Sequence, residues 1–352
     1  MIKYLGSKRR LVGEIGDLLT ATDAATAVDL FTGTTRVAQE FCRRGAQVTA
    51  VDVAAYSEVL AQCYVETDVA SIEPAEVAEA LRRLSQLPDR RGYVTEVFAE
   101  QARYFHPDNA RRIDAIRDGI DAWYPDGPLR PILLTSLLEA ADAVDSTVGL
   151  QMAFLKEWAP RALRPLRLRP PVLVPGSGRA LRCDALEAVR TMGPVDLAYL
   201  DPPYNQHRYY TNYHVWETLV RWDAPAHYGV ACKREDARDP ATKSAFNYRS
   251  RMPQALAEVI TRVRATTVVV SFSNEGFLPL AEVLELCEAR GHPVRVLAHD
   301  TRRYIGSAIG VYSPGGVKVG TQGPSRNVEY LLVSAPEEVQ ERLPRFASQI
   351  SC

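Results

Sequence analysis

Apolar positions along the chain recur with two different periods. Residues 27–31, 47–51, 195–200, 267–272, 294–298 and 328–333 are short apolar runs rich in Val, Leu and Ala, and they read as strands. A further strand is expected near residues 171–174, where the apolar pattern resumes. Between these runs the spacing lengthens to three or four residues, predicting helices over 34–44, 75–84, 110–123, 131–143, 150–158, 209–222, 252–264 and 278–290. In the first of these, Val37, Ala38 and Phe41 share one face, and Pro74 stands where a proline suits an opening helical turn. Strand–helix–strand order through residue 52 is the first half of a βαβ unit and predicts an α/β fold with a Rossmann-like sheet. The helical stretch between residues 54 and 160 is longer than a doubly wound sheet needs between its second and third strands. It is therefore expected to be an inserted helical subdomain, with 1–53 and 171–352 forming the catalytic part and 54–170 the insert.

The bulk numbers narrow the class. The chain has 352 residues, 46% hydrophobic and 24% charged, as an ordinary soluble protein with a sizeable core does. No apolar run reaches the length of a membrane span, and residues 1–8 lack an apolar signal core, so a cytoplasmic protein is expected. Six cysteines are scattered without a Cys-x-x-Cys pair or His at ligand spacing, so neither a metal nor disulfides are expected. The net charge of −1 does not mark a nucleic-acid binder, but its distribution is uneven. Six arginines, at 161, 164, 167, 169, 179 and 182, lie between Trp158 and Arg182 with no acidic residue among them. A second basic stretch runs from Thr301 to Val328, and between Arg302 and Gly323 it is a Gly- and Pro-rich loop. Both read either as solvated loops or as surfaces that follow a phosphate backbone.

Candidate chemistry sits at two strand ends. The strand at 195–200 runs into Asp201-Pro202-Pro203-Tyr204. Two prolines fix φ and remove backbone donors, leaving carbonyl acceptors on a stiff loop. Asp201 adds an anionic acceptor and Tyr204 a flat face for a base, an arrangement suited to methyl transfer onto a conjugated amino group. At the other strand end, Asp29-Leu30-Phe31-Thr32-Gly33-Thr34-Thr35 turns from strand to helix, in the crevice where open α/β sheets bind ligands. Gly33 permits close backbone approach. Asp52 closes the next strand, placed to accept ribose hydroxyls. The turn lacks the three spaced glycines that admit a pyrophosphate, which favours S-adenosyl-L-methionine over a dinucleotide. Asp184, just after a short strand, is either a helix N-cap, an acceptor for the cofactor's adenine, or both.

Tyr4-Leu5-Gly6-Ser7-Lys8, the Asp29–Thr35 turn and Asp201-Pro202-Pro203-Tyr204, in that order around an insert, resemble the α-group of adenine-specific DNA methyltransferases, the group of the Dam enzymes and the FokI-partnered methylase. The resemblance implies a class I S-adenosylmethionine-dependent methyltransferase sheet and transfer of a methyl group to the amino nitrogen of a flipped-out adenine in a short double-stranded DNA sequence. Tyr4 and Lys8 would line the methionine end of the cofactor, with Asp29, Phe31, Gly33 and Thr34 beside it. Asp52 would hold its ribose and Asp184 its adenine. Asp201, Pro202, Pro203 and Tyr204 would hold the target base, with Asn205 and His207 nearby. Arg161, Arg164, Arg302, Arg303 and Lys318 are the candidates for DNA contact. The helical insert is a candidate recognition region, and a cognate restriction endonuclease a candidate partner. Thr35 departs from the pattern, standing where the family's turn usually has a second glycine. Cytosine in DNA and adenine in RNA are alternative acceptors, and a catalytically silent DNA-binding partner is the alternative of another class.

Overall fold

The computed structural model describes residues 2–6, 8–176, 178–302, 326–344 and 349–350. Its main sheet contains β1 (Thr26–Leu30), β2 (Gln47–Asp52), β3 (Arg179–Arg182), β4 (Val195–Leu200), β5 (Ala265–Ser273), β6 (Val294–Arg302), β7 (Arg326–Ser334) and an edge strand β8 (Gln349–Ile350). Their spatial order is β3-β2-β1-β4-β5-β7-β6-β8. The strands from β3 to β5 are parallel, and β7 runs antiparallel to both β5 and β6. This is the expected Rossmann-like methyltransferase sheet. From β1 the chain first builds outward through β2 and β3, then returns to place β4 on the other side of β1. The crevice beyond β1 and β4 is thus the topological switch point.

Alternate residues of the central strands feed two cores, as a period of two requires. Ala27, Leu197 and Val269 join one hydrophobic cluster with Phe41 of α2 (Arg36–Arg43). Val28, Ala198 and Val268 join the other, with Val189 of α7 (Ala185–Thr191), Leu256 of α10 (Met252–Arg262) and Val283 of α11 (Leu280–Glu288). The first cluster also takes in Leu18 of α1 (Val12–Ala21), Leu60 of α3 (Ala55–Ala61), Leu81 of α4 (Pro74–Ser85), Ile116 of α5 (Pro107–Trp123) and Leu133 of α6 (Leu129–Ala143). The helices between β2 and β3 therefore share their core with a face of the sheet. None of the helices among the described residues is long and apolar enough to cross a membrane.

Several expected elements differ. Residues 150–158 are irregular rather than helical. Gly149 turns the chain with φ 94°, and the segment's donors go to distant acceptors: Gln151 N to Asn212 O and Leu155 N to Ser146 O. Its apolar residues are tertiary contacts, so their spacing mimics a helix; Phe154 meets Tyr104 edge-on. Residues 171–174 are coil, and the third strand forms at Arg179–Arg182, where the backbone pairs with β2. The helix expected over 209–222 is interrupted at Tyr213 (φ −126°, ψ 29°), giving a short α8 (Tyr209–Asn212) and then α9 (His214–Arg221). Helix α1 lies outside every expected element, while a π-helical segment at Val94–Gln101 falls within the helical stretch expected over 54–160.

Candidate active site

A cleft opens at the switch point, lined among others by Asp29, Gly33, Asp52, Asp184, Asp201 and Tyr209. The turn after β1 shapes one wall. Phe31, Gly33 and Thr35 all have left-handed backbones, with φ of 67°, 53° and 62°. For a β-branched, fully buried residue such as Thr35 this is a strained conformation. It is held by hydrogen bonds from Thr35 Oγ1 to the Thr34 carbonyl and from Gln39 Nε2 to Thr35 Oγ1. A Cβ on Gly33 would stand 2.9 Å from the Tyr4 ring.

Asp29 is buried beneath the turn and accepts hydrogen bonds from Thr32 Oγ1 at 2.7 Å and Ala38 N at 3.1 Å. Burial pushes its carboxyl up to about 7, against the opposing effect of Thr32. Asp52 ties two loops together, accepting from Gly33 N at 2.9 Å and Ala54 N at 3.0 Å. Burial raises its pKa too, and these backbone donors offset part of the rise. Asp184 caps α7 through Leu186 N at 2.8 Å while also lining the cleft.

Asp201 follows β4 and extends the ladder through its N–H to the Leu30 carbonyl. Lys8, 6% exposed, sits between two carboxylates: 3.0 Å from Asp201 Oδ1 and 2.6 Å from Glu329 Oε1 on β7. Glu329 Oε1 in turn accepts from Ser271 Oγ on β5. Burial lifts the Asp201 carboxyl to about 6, with Lys8 opposing the rise and Glu329 adding to it. Burial would lower the Lys8 ammonium, but the two carboxylates outweigh it and hold its pKa well above the ordinary value. The ion pair does not seal Asp201, whose side chain is 20% exposed and faces the cleft. Pro203 lines the same space. The Tyr204 ring packs 5.1 Å from Phe272, and its carbonyl accepts from Phe277 N. Asn205 Oδ1 accepts from His207 N, and Asn247 Nδ2 bridges the carbonyls of both residues.

Tyr4 lines the cleft between Gly33 and Tyr209. Its ring stacks on Tyr213 at 4.5 Å and on Tyr209 at 5.3 Å, and its hydroxyl lies 3.1 Å from that of Tyr56. The aromatic run at 209–216 is therefore mixed. Tyr213 and Trp216 are core, whereas Tyr209 and Tyr210 line the cleft. Glu329, Tyr56 and Tyr209 are site residues that strand and motif patterns do not single out. A lone acid inside the apolar run of β7 was the available signal for Glu329.

The structure brings together Tyr4, Lys8, Asp29, Phe31, Gly33, Thr34, Asp52, Asp184 and Asp201 around one space. The basic candidates lie elsewhere. Arg161 is tied to Asp145 Oδ1 and the Thr147 carbonyl, which makes it a structural clamp. Arg164, Arg167 and Arg169 are exposed on a segment whose backbone is pinned by Asn109 and Ser136. Arg303, Lys318 and the Arg302 side chain lie outside the described residues.

Carboxylates at both ends, a glycine cradle and an aromatic wall fit a nucleoside carrying a positive charge. Comparison with known proteins agrees. Residues 4–264 match the sequence model of the D12 class N6 adenine-specific DNA methyltransferases. The type II methyltransferase M.NlaIII of Neisseria lactamica is 31% identical over 82% of this chain and 89% of its own length. The modification methylase StsI of Streptococcus sanguinis is 30% identical over 79% of this chain and 44% of its own. The type II methyltransferase M.FokI of Planomicrobium okeanokoites is 27% identical over 86% of this chain and 50% of its own. The chain thus spans about half the length of the last two.

Proposed function

The chain belongs to the D12 class N6 adenine-specific DNA methyltransferase family, and on that premise we propose that its cleft methylates the exocyclic amino group of a single flipped-out adenine within a short duplex sequence. One observation carries this reading: Asp201, on its stiff Pro-Pro turn, opens into the same space as Asp52. S-adenosylmethionine, the family's cofactor, supplies a methyl group activated on a sulfonium sulfur. Asp52 would hold its ribose, Asp184 its adenine, and Tyr4 and Gly33 the segment between.

The amino group of adenine is a poor nucleophile because its lone pair is delocalised into the ring. Asp201 and the Pro202 carbonyl each accept one of its N–H bonds and so localise that pair on nitrogen. Fixed position and oriented acceptors supply most of the acceleration. As the N–C bond forms the methyl group's bond to sulfur breaks, S-adenosylhomocysteine departs as the neutral thioether, and the nitrogen is left with one proton too many. Asp201, poised at about 6, accepts that proton and passes it to water in the cleft mouth. The base is unreachable inside a duplex and must be extruded. Tyr204 stacks on it and recovers roughly 1–3 kcal/mol of the unstacking cost.

The helical insert, with exposed Arg164, Arg167 and Arg169, is the region that follows the phosphates and reads the target. A cognate restriction endonuclease is the candidate protein partner. The test is nucleoside mass spectrometry of unmethylated plasmid DNA after incubation with the protein and S-adenosylmethionine. N6-methyladenine is expected. N4-methylcytosine, or no methylation despite cofactor binding, overturns the reading.

A further inference from the structure

We propose that Glu217, which does not line the cleft, is a positioning residue that sets the ribose end of the cofactor site from helix α9. Helix α3 begins directly after Asp52-Val53-Ala54, and Ala54 offers no side-chain cap. The first donors of a helix need acceptors when buried. Here Glu217 Oε2 accepts both, from Ala55 N at 2.9 Å and Tyr56 N at 3.3 Å. Glu217 is 1% exposed, so no water substitutes for it. Its charge also faces the positive end of the helix. The two amides it holds flank cofactor-facing groups. On one side lies the Ala54 N–H bound to Asp52, and on the other the Tyr56 ring, whose hydroxyl meets Tyr4.

Helix α9 is itself clamped by the insert at both ends. At its start Gln151 Oε1 accepts from Val215 N at 2.9 Å and Trp216 N at 3.4 Å. At its end the buried Arg117 guanidinium donates to the Leu219 carbonyl at 2.6 Å and the Val220 carbonyl at 3.0 Å. The same helix follows the Asp201–Tyr204 turn with only α8 between. A small shift of α9 therefore moves the Asp52 end of the cleft through one carboxylate, and Arg117 and Gln151 give the insert a grip on that shift.

The inference rests on the cofactor reading above. Titration calorimetry of the full chain with S-adenosylmethionine tests it alongside melting curves. Glu217→Gln retains an oxygen acceptor and is expected to bind within about three-fold of the wild type. Glu217→Met leaves two buried amides without an acceptor and is expected to weaken binding at least ten-fold, while turnover at saturating cofactor stays within a few-fold. If Glu217→Met does not fold, Glu217→Asp replaces it, one methylene too short to reach both amides, with the same expectation. Unchanged affinity in the Met or Asp variant overturns the inference, as does equal weakening in the Gln variant. Failure of the wild type to bind S-adenosylmethionine overturns the cofactor reading instead, so the two failures are distinct.

Discussion

Lys8→Met tests the electrostatics of the Asp201–Tyr204 turn most directly. In the wild type the ammonium stands 3.0 Å from Asp201 and 2.6 Å from Glu329. At an effective dielectric of about 20, an ion pair at that distance is worth roughly 5 kcal/mol. Removing it leaves Asp201 beside a second carboxylate with no counter-ion. The Asp201 carboxyl, already at about 6, must rise further. Water entering the vacated space recovers part of the loss, so a rise of about two units is expected, on 1.36 kcal/mol per unit. In the proposed mechanism catalysis needs the carboxylate, so activity is lost as pH falls through its pKa. The acid limb of the pH–rate profile should therefore move upward, to about pH 8. The assay is incorporation of labelled methyl groups into unmethylated plasmid DNA between pH 5.5 and 9, at saturating cofactor. Glu329→Gln supplies the opposite sign: it removes a negative charge that raises the Asp201 pKa, so its acid limb should move downward. An acid limb that stays put in both variants, with activity intact, refutes the assignment of Asp201 as the titrating acceptor.

Other perturbations are simpler. Gly33→Ala places a methyl group 2.9 Å from the Tyr4 ring at φ 53°, so S-adenosylmethionine affinity should fall at least ten-fold, measured by calorimetry. Thr35→Gly relieves roughly 1–3 kcal/mol of left-handed strain but strips the buried Gln39 Nε2 of its acceptor, a cost of similar size, so the melting temperature should change little. Replacing Arg164, Arg167 and Arg169 by Ala should weaken duplex binding and reduce the slope of log affinity against log salt by about 2–3, roughly 0.9 for each phosphate no longer neutralised.

The strands and the two loops at the switch point were legible because each carries a local signature. A buried parallel strand is a continuous apolar run, and Asp52 and Asp201 stand where such runs stop. The third strand was legible only by its place before Asp184, not from its own pattern. Arg179–Arg182 is made by pairing with β2 at a sheet edge, which leaves it polar. Residues 150–158 misled for the opposite reason: Leu150 and Gln151 are buried by tertiary contacts, and Gly149 diverts the backbone. Arg161 was legible as a charge but not as a partner of Asp145, 16 residues away. Glu217 and Glu329 act across sequence separations of more than 160 and 300 residues, and no local pattern reports such a pairing.

The cleft also stores instability that a cationic ligand should relieve. Asp29 lies at about 7 and Asp201 at about 6, both above the ordinary 3.8, and burial raises Asp52 as well. A carboxyl whose folded pKa is raised stabilises the fold fully below about 4 and loses that contribution as pH rises through the folded value. For Asp29 the rise of about three units corresponds to roughly 4 kcal/mol between pH 4 and pH 7. The free protein should therefore melt at progressively lower temperature from pH 5 to pH 8, and Asp29→Asn should flatten that slope. S-adenosylmethionine brings a sulfonium and an ammonium to this acidic space, while S-adenosylhomocysteine brings the ammonium alone. Ligand that binds only the folded state stabilises by mass action. At equal concentration the sulfonium form should raise the melting temperature more, and its advantage should widen from pH 6 to pH 8 as the carboxyls ionise. A difference between the two ligands that stays constant across that range would mean that the carboxylates do not sense the cofactor's charge. Their raised pKa values would then reflect burial alone.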